Sequence, residues 1–211
     1  MTPDTGHPEP YSYDPELGHG LPQDPFKAIV APRVIGWISS CSASGQVNLA
    51  PYSFFGAFAS SPHQVIGFSS DGYKDTLRNI EETGEFVWNL SSRKLAGQMN
   101  QSSLPAAPEV NEFELAGLTE APGTHVRVPH VLEAPAALEC RLLKVVRLDG
   151  LDGKDLNHWI VFGQVVYVHI RREFLKDGRF DLQAAQPVMR AGYLGDYAVI
   201  GEIFEMFRPE S

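Results

Sequence analysis

Short apolar, β-branched runs parted by turn residues make up most of the chain, and nowhere between two successive runs is there a helical period of ten or more residues. The runs are Val34–Cys41, Val47–Ala50, Gln64–Ser69 and Glu85–Leu90, then two longer ones, Ala136–Asp149 and Trp159–Ile170, on either side of a DGLDG turn. Without crossover helices a doubly wound sheet is excluded, and hairpin spacing predicts an antiparallel, mainly β barrel with a few short helices. The two long runs suit a wall that bends. Pro51 is expected to end its strand. One helix is predicted to open at Asp75 or Thr76, with Leu77 and Ile80 on one face and Gly84 as its stop; Lys94–Gln101 reads as a second. Ser102–Pro135, broken by prolines, reads as a long irregular loop with one helical turn near Glu112–Ala116, a loop that is functional or packs on a partner subunit. Asp177-Gly178 marks a turn, and Tyr197–Phe207 reads as a last strand or mixed element.

The first 25 residues differ from the rest. They hold six of the 16 prolines and five acids, with little to bury except Tyr11, Tyr13 and Leu17. They read as an acidic arm, extended or partly disordered, docked through its tyrosines, and residues 26–211 as one domain. The charge sum is 17 − 26 = −9, or 17 − 21 = −4 without the arm. That argues against nucleic acid and against an anionic membrane surface as partners. No apolar run approaches the ~20 residues of a membrane span. The arm lacks the basic start and apolar core of a signal peptide, so a cytoplasmic protein is expected.

Familiar nucleophile, metal and nucleotide signatures (GxSxG, HExxH, GxxxxGK[ST], GxGxxG) do not occur. His125, His130 and Glu133 sit in a loop without the helical face that aims two imidazoles at one ion, and read as solvated side chains. Asp149, Asp152 and Asp155 lack the closing glutamate of a calcium loop and read as an acidic hairpin turn. Cys41 and Cys140 stand far apart and read as buried small hydrophobes. No metal site is expected.

Two stretches carry chemistry. In Phe68–Thr76, FSSDGYKDT, a strand ends in two serines and a helix opens with Lys-Asp-Thr. Ser69, Ser70 and Thr76 offer hydroxyls, Lys74 a positive charge and the helix start its free amides, a set suited to phosphate. Asp75 would order that turn as the cap. An ordinary turn whose hydroxyls satisfy local backbone groups meets the same spacing. In Asn48–Phe54, NLAPYSF, the chain offers carbonyls, amides and the flat faces of Tyr52 and Phe54 to a polar-edged ring system. Core aromatics on a strand meet that pattern equally. Taken together, the two stretches fit a phosphorylated planar cofactor such as FMN.

These residues resemble the flavin reductase-like family of FMN-binding split β-barrels, which includes flavoredoxin-type proteins. The likeness rests on Pro32-Arg33 with Trp37-Ile38-Ser39, on NLAPYSFF, on SS-x3-KDT-x2-NI, on Glu85–Leu90 and on weaker later pieces including His158-x3-Phe162-Gly163 and Arg190-x-Gly192. It spans Phe26 to Pro209 in order. Gly56, Val34, Gln164 and Ala191-Gly192 depart from the pattern, with consequences for substrate choice more than for the phosphate. The resemblance implies a Greek-key-like split barrel and a homodimer with FMN near the subunit interface. It implies that Asn48, Ala50, Pro51, Ser53 and Phe54 edge the isoalloxazine, and that Ser69, Ser70, Lys74 and Thr76, ordered by Asp75, hold ribityl and phosphate. Arg190 and Tyr193 would reach the cofactor from the C-terminal segment. The implied activity is hydride transfer from NAD(P)H to flavin N5; the alternative is an FMN-binding electron carrier that acts with a partner. His158 is a candidate to face the nicotinamide, and a barrel-wall histidine with a satisfied hydrogen bond meets the same pattern.

Overall fold

Seven strands pair into one antiparallel sheet that bends round on itself in the computed structural model, which describes residues 9–107 and 109–209. A single helical turn, α1 (Phe26–Ile29), and a short β1 (Arg33–Val34) precede β2 (Gly36–Cys41), β3 (Val47–Tyr52), β4 (Phe55–Ala59) and β5 (Val65–Asp71). Helix α2 (Asp75–Thr83) leads to β6 (Glu85–Asn89), then α3 (Ala96–Gln101), α4 (Glu112–Leu115) and the two-residue strands β7 (Glu120–Ala121) and β8 (His130–Val131). The long hairpin of β9 (Ala136–Asp149) and β10 (Asp155–Ile170) comes next. Short β11 (Leu175–Lys176), β12 (Arg179–Phe180), α5 (Leu182–Ala185), β13 (Val188–Arg190) and β14 (Tyr197–Val199) follow.

The main sheet runs β3-β2-β6-β9-β10-β5-β4. Its two edge strands, β3 and β4, are consecutive in the chain and joined by Ser53 and Phe54 alone. So short a link spans at most about 11 Å. Opposite rims of a seven-stranded sheet are therefore tied together, and the sheet curls into a barrel that stays split along this seam. Across the interior Phe55 of β4 lies flat on Trp88 of β6, with ring centroids 5.3 Å apart. Register shifts between β9 and β10, one of them at Phe162/Gly163, let that long hairpin turn the corner. At Gly163 a Cβ would run into the Phe86 ring, so only glycine fits there.

Ile38, Phe68, Leu77, Ile80, Phe86 and Val161 fill the space between the curled sheet and α2. A second cluster around Trp37, Leu49, Met99 and Phe113 packs under α3 and α4. Helix α2 ends as its sequence requires, with Gly84 left-handed at φ 74° and its amide donating to the Ile80 carbonyl. A separate small sheet, β1-β13-β14, sets Arg33 opposite Arg190 beside the seam.

Several expectations are corrected here. Pro51 does not end its strand: β3 runs on to Tyr52, with Pro51 opposite Trp37. Because β3 is an edge, a residue without an N–H is tolerated. Strand β4 begins only two residues after β3 ends, where the sequence suggested only a flat apolar surface; Gly56, Ala57 and Ala59 hide its period. The last strand stops at Val199, and residues 200–209 have no regular structure. Ser102–Pro135 holds the expected helical turn as α4 but also the unexpected pair β7 and β8, and it is tied to its own barrel: Trp37 Nε1 donates to Ser102 Oγ at 2.9 Å, Ser39 Oγ to the Pro129 carbonyl at 2.7 Å and the Val131 amide to Asn89 at 2.8 Å. Cys140 is buried, whereas Cys41 is only partly so. Of the arm expected over residues 1–25, residues 1–8 lie outside the described residues; in the remainder Tyr11 and Tyr13 pack on each other and Tyr13 on His19.

Candidate functional site

Asn48 and Thr76 join the two stretches that the sequence singled out. Alternation along β3 turns Asn48 toward the start of α2, where its Nδ2 donates to Thr76 Oγ1 at 2.8 Å. Asn48 and Asn79 also reach Ser40 Oγ, at 3.4 and 3.2 Å, so edge strand, helix and β2 share one polar knot. Having accepted that bond, the Thr76 hydroxyl keeps its own proton to donate.

The helix start differs from the expectation in one respect. Asp75 does not cap it: Lys74 occupies the cap position with extended backbone, and no side chain takes the first-turn amides. Asp75 is the first helical residue and pairs with Arg78 one turn on. The turn is thus left with free amides and, at Lys74, an exposed cation that pairs with no carboxylate among the described residues. That combination attracts an anion.

Asn48, Ala50, Pro51, Lys74, Asp75 and Thr76 share one cleft of about 420 Å³, with Ser102–Ala106 and Glu112 on its other side. A smaller pocket of about 190 Å³ adjoins it through Pro51, Tyr52 and Ser103, and contains Ser53 and Arg190. Ser53 is fixed from behind by Arg33, whose Nε donates to the Ser53 carbonyl at 3.2 Å and whose guanidinium lies over the Phe54 ring at 5.2 Å. Arg190 lies over Tyr197 at 4.7 Å. Burial, with Arg190 nearby, pulls the Arg33 pKa down, though it stays a cation.

Not every expected residue joins this groove. Phe54, Ser69 and His158 line a different cavity of about 710 Å³ on the outer face of the sheet. Ser70 is fully buried and its hydroxyl donates to the Gly72 carbonyl at 2.8 Å, holding the turn instead of facing the cleft. Tyr193 is exposed in the turn between β13 and β14 and lines none of these cavities.

Three roles escaped the sequence reading. The Tyr52 hydroxyl is buried near the hydroxyls of Thr76 and Ser70 without a formed hydrogen bond, and its burial pushes the pKa up to about 12, so it remains a neutral donor. Glu112 accepts from the Leu49 amide at 3.0 Å; burial raises its carboxyl, with Asp75 adding to the shift. Ser103 comes from a loop with no helical or strand signal at all. Arg33 is a fourth case: the family pattern includes it beside Pro32, but its hold on the Ser53 carbonyl appears only in the fold.

The flavin reductase like domain profile matches residues 30–183, well over half of the chain. The chain belongs to the flavin reductase-like family. Protein BH2278 of Halalkalibacterium halodurans is similar to this flavin reductase-like chain at 37% identity over 185 residues, covering 85% of this chain and 87% of its own. Among solved structures, nitrilotriacetate monooxygenase component B from Bacillus cereus superposes with a TM-score of 0.84 at 29% identity, covering 95% of this chain and all of its own. The 2-nitrobenzoate 2-nitroreductase NbaA of Pseudomonas fluorescens gives 0.76 at 29% identity, covering 87% and 88%. The flavin reductase-like chain has the same curled, split sheet, and no helix among its described residues is long and apolar enough to cross a membrane.

Proposed function

We propose that this flavin reductase-like chain is an FMN-dependent oxidoreductase with NAD(P)H as hydride donor, acting as a homodimer in the cytoplasm. One observation carries the reading: the uncapped start of α2 and the exposed Lys74 cation open into the same groove as the carbonyl-rich edge of β3. That groove fits the group. It offers a cation and amides to a phosphate, the orphaned Tyr52 hydroxyl to a further oxygen, and the Ser53 and Arg190 pocket to a polar ring edge.

When bound, FMN supplies the redox chemistry, taking a hydride at N5. The chain itself binds and orients. Lys74 and the first-turn amides neutralise the phosphate, and Thr76 donates its proton while Asn48 holds its oxygen. Arg33 fixes the Ser53 carbonyl, so the seam keeps its shape under load. Arg190 supplies positive charge in the adjoining pocket, where negative charge developing on the ring would be stabilised. The names of the two solved relatives, a monooxygenase component and a nitroreductase, support a redox role. The purified protein with added FMN should oxidise NADH or NADPH faster than free FMN does. A rate equal to that of free flavin at every protein concentration removes the reductase reading.

A further inference from the structure

One guanidinium holds three stretches of chain that lie far apart in sequence. Arg33 Nε donates to the Ser53 carbonyl at 3.2 Å, Nη2 to the Ala191 carbonyl at 3.3 Å, and Nη1 to the carbonyls of Lys27 and Val30, the latter at 3.4 Å. No carboxylate pairs with Arg33 among the described residues, so the cation is spent on backbone. A planar fork of donors can reach all of these carbonyls at once, which the single ammonium of a lysine cannot.

Each stretch has its own place in the fold. Ser53 is the first residue of the tether between β3 and β4, and the carbonyl of the second, Phe54, accepts from the Ser69 amide at 2.9 Å. Ala191 opens the turn between β13 and β14, and the paired residues at the root of that turn, Arg190 and Tyr197, line the pocket that contains Ser53. Lys27 lies in α1 and Val30 closes it. Helix α1 buries none of its side chains, and an element that buries nothing opens at little cost. Its seating depends on the Arg33 bonds and on one close approach: a Cβ at Gly192 would lie 2.6 Å from the Ala28 Cβ, so bare glycine lets α1 sit against the β13–β14 turn.

We propose that Arg33 is a positioning residue that couples α1 to the ring end of the flavin groove. With α1 seated, the guanidinium fixes Ser53 and the root of the turn that presents Arg190, and the pocket for the polar ring edge keeps its shape. With α1 released, the fork loses two of its four acceptors and both sides of that pocket loosen. The coupling is reciprocal, so a flavin ring in the pocket also seats α1. The phosphate end, built by α2 and Asn48, takes no part. The proposal rests on the FMN reading and adds to it an element, α1, that lines neither pocket of the groove.

Hydrogen exchange of the full chain tests it at the amides of Ile29, Val30 and Ala31, whose bonds all lie within the α1 turn. Saturating FMN should slow their exchange about fivefold, and riboflavin, which has no phosphate, should do the same. Gly192→Val, which pushes α1 away, should weaken FMN and riboflavin alike by about fivefold and leave the ratio of their affinities at the parent value. Lys74→Ala/Thr76→Ala should instead collapse that ratio. Arg33→Lys keeps the charge and loses the fork, so both flavins should weaken equally and neither should slow α1 exchange. Thermal unfolding reports that each variant is folded, and the parent measurement needs no variant. Parent protein that binds FMN with α1 exchange unchanged overturns the coupling and leaves the FMN reading standing. So does parent-like flavin affinity in Gly192→Val with α1 exchanging freely, or undiminished coupling in Arg33→Lys. Parent protein that binds neither flavin removes the FMN reading and the coupling with it.

Discussion

Lys74 and Thr76 carry the testable part of the phosphate assignment, because each keeps something to give: Lys74 a charge that no carboxylate among the described residues takes, Thr76 a proton with its oxygen already held by Asn48. Charge-assisted hydrogen bonds contribute roughly 1.5–3 kcal/mol each, so losing both should weaken FMN by about two orders of magnitude or more. Fluorescence quenching of FMN by Lys74→Ala/Thr76→Ala protein measures this directly, and an affinity within a factor of about two of the parent would place the phosphate elsewhere. The sequence makes Asp75 the cap that orders this turn, because acids favour helix starts. Its pairing with Arg78 takes it out of that role, and nothing in residue type or spacing distinguishes the two uses.

Among the elements, the loop between β7 and β8 hangs on one side chain. Glu139 of β9 is wholly buried and accepts from the amides of Thr124, His125 and Val126 and from His169 Nε2, the last at 2.6 Å. Burial by itself would raise its carboxyl, but these donors outweigh it and hold it below the ordinary 4.5. His130 stacks on His169 at 4.2 Å; burial first, and the neighbouring His169 second, lower it from 6.5. A histidine whose folded pKa is lowered stays neutral while the unfolded chain takes up a proton, so stability falls as pH drops below about 6.5. A carboxyl held low contributes stability above its unfolded pKa and loses it as pH falls through the folded value. The thermal midpoint should therefore be level above about pH 6.5, decline below it and drop faster below about 4.5. Calorimetry across that range checks this, and Glu139→Gln should flatten the lowest-pH part; an identical acid slope in the variant would show that the latch does not titrate. None of this loop was legible beforehand. His125 is exposed as expected, though it stacks on Tyr167, whereas His130 reads as a solvated side chain because its partner His169 comes from a strand 39 residues on. The barrel strands were legible because period and turn chemistry are local. Strand β4 was not, since glycine and alanine carry no period, and neither was the fate of Pro51, which depends on β3 being an edge.

For the molecule as a whole, the order of strands was beyond reach of the sequence, while the class and the position of the groove followed from a pattern shared along nearly the whole chain. The remaining unbalanced feature is apolar exposure. Ile203, Phe204, Met206 and Phe207 stand more than half exposed on a segment without regular structure, and Leu143 and Val168 are likewise exposed on the long hairpin. A homodimer would cover such surface. Sedimentation at tens of micromolar is expected to give twice the 23.3 kDa chain mass, and removal of residues 201–211 should shift the distribution toward single chains. A monomer under the same conditions refutes the assembly.

The tether of Ser53 and Phe54 sets one more property of the barrel. No ladder hydrogen bond joins β3 to β4, so the width of the opening is governed by tether length and not by strand pairing. Inserting a single residue there adds up to about 3.5 Å of slack to the mouth while leaving all seven strands in register. Aperture and architecture are uncoupled at that point, which makes it the place where one scaffold can be refitted to guests of different girth.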